Sequence, residues 1–176
     1  VDFGCYEFKT SGLSVGVSAT GDGKPDLSVT TFKASLKGKV GATVAYAWTI
    51  TGSNGFREEV SGVGDEYASV TRNLTAGVYE AAVKVSSGEL TADGAATFEI
   101  KATHTYVAVG GTGLPPYAAS NPGGDIQTVL DSTADNGTVH LAPGFYTMPD
   151  TLSIKRPVRV LSDGGRGAAP EGGLRR

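Results

Sequence analysis

The chain has 176 residues, a formal net charge of -3, 26 glycines and 19% charged residues. That length holds one domain comfortably, or one domain with part of another. The basic residues are scattered, with only Arg156/Arg159 and Arg175/Arg176 close together, so a nucleic-acid footprint is not supported. Cys5 is the single cysteine, which excludes an internal disulfide and leaves open whether it pairs with another chain. His104 and His140 alone do not make a structural zinc site, and neither cofactor nor metal is expected. No long apolar run is present to insert into a membrane. Val1 stands where a start would have Met, and the chain reads as a slice of something larger.

Many glycines among Val, Thr and Ala, with no sustained 3.6-residue apolar period, predict short strands and tight turns. Residues 1–12 (VDFGCYEFKTSG) are expected to be the terminal strand of a preceding domain. Leu13, Val15 and Val17 then alternate with Ser14, Gly16 and Ser18, a half-buried strand. Within Leu27–Leu36 the apolar phase switches from Leu27, Val29 and Thr31 to Phe32, Ala34 and Leu36, which predicts a β-bulge near Thr30–Phe32. Val44, Tyr46, Trp48 and Ile50 share one face of a strand that carries the only tryptophan; Trp48, Tyr46 and Tyr79 are the expected structural anchors. A charged edge strand (Phe56–Val60) and a strand over Tyr67–Thr71 follow. Leu74–Tyr79 leads into Ala81, Val83 and Val85, and the Ala96, Phe98, Ile100 alternation ends the set. Glu58, Glu59, Asp65 and Glu66 read as a solvated edge in preference to a cation site.

The YAWTI strand and the later LTAGVYEAAVKVSS segment resemble the polycystic-kidney-disease (PKD) type Ig-like domain over residues 13–102. The resemblance implies a β-sandwich with Tyr79 as a tyrosine corner bonding nearby backbone. The family's acidic WDFGDG turn is replaced here by WTITGSNG, so no calcium site is carried over.

Past Lys101 the pattern changes. His104–Val109 reads as a strand and Gly110–Gly124 as a loop. Asp125 is placed to cap a short helix to Ala134 with Ile126, Val129 and Leu130 buried. Strands are expected at Thr138–Ala142, at Phe145–Thr147, around Leu152 and Ile154, and at Val158–Leu161, with a corner at Pro157 and a small core of Ile126, Val139 and Ile154. The words YVAVGGTGLPPY, DIQTVLDSTADNGTVHLAPGFYT and LSIKRPVRVLSDGG resemble the start of a pectate-lyase-like right-handed parallel β-helix, here residues 103–163. VDFGCYEF is similar to the closing words of such a domain. The low-complexity tail 164–176 is expected to be disordered.

The fold class expected is therefore all-β: an Ig-like sandwich followed by a truncated β-helix start with a capping helix. The resemblance implies a non-catalytic module spacing β-helical domains of a secreted or cell-surface bacterial protein. Its partners would be polysaccharide, other surface proteins and the flanking β-helical domains. The alternative is a fragment of a β-helix polysaccharide lyase or hydrolase whose groove lies outside this chain. No catalytic residue is assigned: Asp125, Asp131, Asp135, Asp150 and Asp163 read as caps and turns, and His140 has no identified carboxylate partner. Tyr106, Tyr117 and Tyr146 are the candidates for stacking on a sugar.

Overall fold

The structure, a computed structural model, describes residues 12–38, 43–108, 126–147, 151–162 and 168–171. Most of these residues are in strands, and they fall into two compact units. One unit takes in the described residues up to Asp22, together with Val29–Leu74 and Val78–Glu99. The other takes in Gly23–Ser28, Thr75–Gly77 and the described residues from Ile100 onward.

The first unit is built on seven strands, some of whose ends belong to the second: β1 (Ser14–Gly21), β2 (Leu27–Lys37), β3 (Ala45–Gly52), β4 (Arg57–Val63), β5 (Ser69–Thr75), β6 (Gly77–Ser87) and β7 (Leu90–Ile100). They form a three-stranded sheet in the order β1-β2-β5 and a four-stranded sheet in the order β4-β3-β6-β7, an arrangement consistent with a β-sandwich. Period-two burial explains why these residues make these strands. Val44, Tyr46, Trp48 and Ile50 are buried from the β3 side, and Tyr79, Ala81, Val83 and Val85 from β6. Trp48 is opposite Val83 on β6 and Val60 on β4, so its strand is an inner one and β4 is an edge.

Two expectations in this unit need correction. The bulge near Thr30–Phe32 is absent: β1 and β2 pair without interruption from Ser14↔Lys37 to Gly21↔Thr30. The buried face of β2 is Ser28, Thr30, Phe32 and Ala34, and Leu27 and Val29 lie outward. Two small polar residues occupy the core phase, so hydrophobicity alone misassigned the face. Tyr67 opens no strand; Asp65–Ala68 is a 3₁₀ turn, whose Tyr67 carbonyl accepts the Trp48 indole N–H at 2.8 Å. The Tyr67 ring lies so close to Gly62 of β4 that it leaves no room for a Cβ there, so this edge-strand glycine is covered by an aromatic ring. The Tyr79 hydroxyl accepts a hydrogen bond from the Asn54 side-chain amide at 2.7 Å.

The second unit contains β8 (Ala102–Val107), a short helix α1 (Ile126–Ser132), β9 (Thr133–Leu141), β10 (Gly144–Thr147), β11 (Arg159–Ser162) and β12 (Ala168–Glu171). Here the pairing is parallel: β8 and β11 flank β9, and β10 pairs with β12. None of the sheets among the described residues closes on itself. Ile126, Val129 and Leu130 bury the inner stripe of α1 in a cluster with Val107, Val139, Leu141 and Tyr146. Thr133 Oγ1 donates to the Val129 carbonyl at 2.6 Å while lying 2.7 Å from Thr105 Oγ1, a buried hydroxyl relay that satisfies both threonines. Arg156 closes the helix end by donating to the Leu130 carbonyl at 2.9 Å and to that of Asp131.

Corrections apply here as well. The helix stops at Ser132, and Thr133–Ala134 already belong to β9; the capping residue Asp125 lies outside the described residues. The segment around Leu152 and Ile154 is irregular. Its Ser153 backbone is held at both ends by the Gln127 side-chain amide, at 2.9 and 3.1 Å, in place of a ladder partner. Ile154 is exposed, and Leu152 and Val158 pack on the core cluster instead. A bulge lies in β9: the pairing jumps from Ala102↔Thr133 to His104↔Thr138, and Asn136 within the extra residues has φ 61°. Within the tail expected to be disordered, β12 forms at Ala168–Glu171 because β10 offers a parallel backbone partner, and Pro170 is tolerated in a two-stranded sheet that is all edge. Residues 1–11, including Cys5, lie outside the described residues.

Candidate functional site

Parallel pairing decides which side chains gather on the solvent face of the β8-β9-β11 sheet. Thr105 and Val107 point inward on β8, and Val139 and Leu141 do so on β9. His104, Tyr106, Thr138 and His140 therefore face outward. The register sets Tyr106 opposite His140 and His140 opposite Leu161, and it sets His104 opposite Thr138 and Thr138 opposite Arg159. A row of ring, ring and aliphatic side chain thus lies beside a row of imidazole, hydroxyl and guanidinium.

The rings are in contact. Tyr106 stacks on His140 with centroids 4.7 Å apart and planes 19° from parallel. His104 Nδ1 lies 3.0 Å from His140 Nε2, a hydrogen bond in which one imidazole donates and the other accepts. The two imidazoles of this arrangement lie with centroids 5.3 Å apart and planes 34° from parallel. What it offers chemically is a planar apolar surface with nitrogen donors and acceptors at its margin.

The other candidates fall elsewhere. Tyr146 is buried to 2%, with its hydroxyl 2.7 Å from the Ala142 carbonyl and 3.0 Å from that of Val107. Burial holds its phenol above the ordinary tyrosine range. It plugs the core and cannot stack on a sugar, so that expectation is withdrawn. Tyr117 lies outside the described residues, as do Asp125, Asp150 and Asp163. Asp131 accepts from Gln127 at 3.2 Å, and Asp135, in the β9 bulge, faces Arg156 at 3.7 Å. Trp48 is 1% exposed, Tyr79 is fully buried, and Tyr46 is buried with its phenol raised by desolvation and by the nearby Asp65 charge.

Among the acids of the sandwich, Glu58 takes a forked hydrogen bond from Arg72, at 2.6 to 2.9 Å, that holds its carboxyl below the usual range. Glu59 pairs with Arg57 at 2.6 Å. Both acids are spent on guanidinium partners. A groove on the four-stranded sheet is lined by Ala47, Ala82, Ala95 and Gly94, with Lys84 and Asp93, and it offers no aromatic face.

Sequence reasoning considered His140 alone and missed His104 as its neighbour. The period-two phase of both strands was visible, but the register that joins them passes through the β9 bulge. Asn136–Gly137, a turn-type pair inside a strand, was the signal that could have located it.

No family model and no curated protein matches the chain. Among solved structures, it is similar to one described as a β-galactosidase from Bacteroides fragilis, with TM-score 0.38 and 15% identity over 73% of this chain and 26% of that one. It is also similar to a β-glucuronidase from Bacteroides uniformis (TM-score 0.37, 9% identity, 81% of this chain and 25% of that one). A β-glucuronidase from Ruminococcus gnavus gives TM-score 0.35 and 9% identity over 86% of this chain and 29% of the other. The chain spans about a quarter of these proteins' length, and at such TM-scores no argument about its fold or activity follows.

Proposed function

We propose that the chain is a non-catalytic structural and interaction module of a secreted or cell-surface bacterial protein. In this reading a PKD-type Ig-like sandwich (13–102) carries the first coils of a right-handed parallel β-helix (103–163) and makes contact with polysaccharide. The observation that supports it is the order of the parallel ladders. After β9 the chain turns through Ala142–Pro143 into β10; it then returns as β11 on β9 and as β12 on β10. Two strands repeated in the same order, one layer on, are how a solenoid coil stacks on its predecessor.

The outward Tyr106–His140 stack is the aromatic surface this reading assigns to sugar, because the C–H-bearing face of a pyranose packs on a flat ring. The test is affinity electrophoresis of the chain through gels containing neutral or acidic polysaccharides. Retardation by at least one polymer is expected, with no shortening of that polymer. Tyr106→Ala should weaken it by about tenfold, the order of a lost aromatic contact. Cleavage of the polymer, absence of retardation on every polymer, or retardation indifferent to Tyr106→Ala would overturn the reading.

A further inference from the structure

Arg159 is set apart from the other arginines of the described residues. Arg57 is paired with Glu59, Arg72 with Glu58 and Arg156 with Asp135. Arg159 opens β11, is exposed, and meets no carboxylate among the described residues. The paired positions of β8, β9 and β11 carry no acid either. An unopposed guanidinium thus stands on the same outward face as the Tyr106–His140 stack, in the row that runs through Thr138 to His104.

The register sets the distance. Arg159 lies one strand across from His140 and two residues back along β11 from Leu161, the partner of His140. With strands about 4.8 Å apart and a rise of about 3.3 Å per residue, the Cα positions of Arg159 and His140 are roughly 8 Å apart. An arginine side chain spans that gap along the sheet surface. The hydrogen bond from His104 Nδ1 to His140 Nε2, at 3.0 Å, steadies the ring on which a sugar would rest. A pyranose lying flat there turns one margin toward the guanidinium, with the Thr138 hydroxyl between. A planar fork of N–H donors matches an oxyanion and gains little from a neutral hydroxyl. The chain as a whole carries a formal charge of -3, so its overall field repels a polyanion and any affinity for one comes from a local cation.

We infer that Arg159 determines the specificity of this surface and that the ligand is an anionic polysaccharide, with a carboxylate or sulfate on the sugar that stacks on Tyr106 and His140. The inference rests on the assignment of that stack to sugar proposed above, and adds to it the charge the sugar carries. Two oxygens of the anion take the two arms of the guanidinium fork, and the Thr138 hydroxyl donates to the same group. A uronate and a sulfate ester share this chemistry, and the test below separates them.

The experiment runs the full chain through affinity gels holding two matched pairs of polymers. Alginate is set against its neutral propylene glycol ester, and dextran sulfate against plain dextran, so each pair shares a backbone and differs in the anion. Retardation by alginate or dextran sulfate is expected, about tenfold stronger than by the neutral partner, the order of a charge-assisted hydrogen bond. Which of the two retards the chain tells carboxylate from sulfate. Arg159→Gln should remove the preference, and Arg159→Lys, which keeps the charge without the fork, should restore part of it. The unsubstituted chain already gives a decisive comparison within each pair, so a misfolded variant leaves the test intact. Equal retardation within both pairs, still weakened by Tyr106→Ala, would overturn this inference and leave the sugar assignment standing. So would a preference that survives in folded Arg159→Gln. Passage through all four gels unretarded, or retardation indifferent to Tyr106→Ala, would end the sugar assignment and the inference with it.

Discussion

Thr30 Oγ1 is buried in β2 and has no hydrogen-bond partner, unlike the polar tips of the large core aromatics around it. The Trp48 indole and the Tyr79 and Tyr146 hydroxyls each reach an oxygen or amide, so their burial does not strand a polar group. A sealed hydroxyl without a partner costs roughly 1–3 kcal/mol of desolvation, which valine of the same shape does not incur. Thr30→Val is therefore expected to stabilise the sandwich by about 1 kcal/mol, read from the urea midpoint at unchanged slope. A lower midpoint would mean that the hydroxyl is satisfied. The same residue shows where sequence reading loses sight of a core. Ser28 and Thr30 hold inward positions, while Leu27 and Val29 stand 55% and 46% exposed, inverting what hydropathy suggests.

Elements with strict alternation were legible: β3 and β6 bury the side chains their sequences mark, and β4 carries its charges on an edge as expected. Elements defined by partners were not. Leu152 and Ile154 alternate like a strand, but the Gln127 side chain takes the Ser153 backbone and only Leu152 reaches the core. The His104–His140 contact depends on the β9 irregularity, which the apolar alternation of neither strand encodes and only the Asn136–Gly137 pair marks. Gly137 holds that irregularity. A Cβ there would stand 2.8 Å from the Ala134 carbonyl oxygen, 2.8 Å from Thr133 Cγ2 and 2.9 Å from the Thr103 carbonyl oxygen. Two of these obstacles are backbone and cannot rotate away. Gly137→Ala should cost about 1–3 kcal/mol by overpacking, seen as faster amide exchange across β8 and β9. Unchanged exchange there would show that the bulge adapts to a methyl group.

At the scale of the whole molecule, the two units differ in how far their sheets are finished. The sandwich strands bury an unbroken set of large side chains, among them Phe32, Trp48, Ile50, Leu74 and Tyr79. In the second unit β11 ends its sheet with Val160 and Leu161 each 40% exposed, although Val160 is in register with fully buried Val139. An unpaired strand edge with exposed apolar side chains opens at lower free energy than a closed core. A fragment of residues 13–102 is accordingly expected to melt cooperatively by itself, and amides of β9–β12 in the full chain should exchange faster than those of β3 and β6. Equal protection in both units, or a non-cooperative fragment, would contradict this. Trp48 gives that difference an optical consequence. It is the chain's one indole, and it is shielded from water inside the sandwich. Excited at the red edge of protein absorption, the chain will emit blue-shifted light from that unit alone. A fluorescence melt will therefore track the sandwich and pass silently over any loosening of the parallel sheets, which only tyrosine ellipticity or exchange will register.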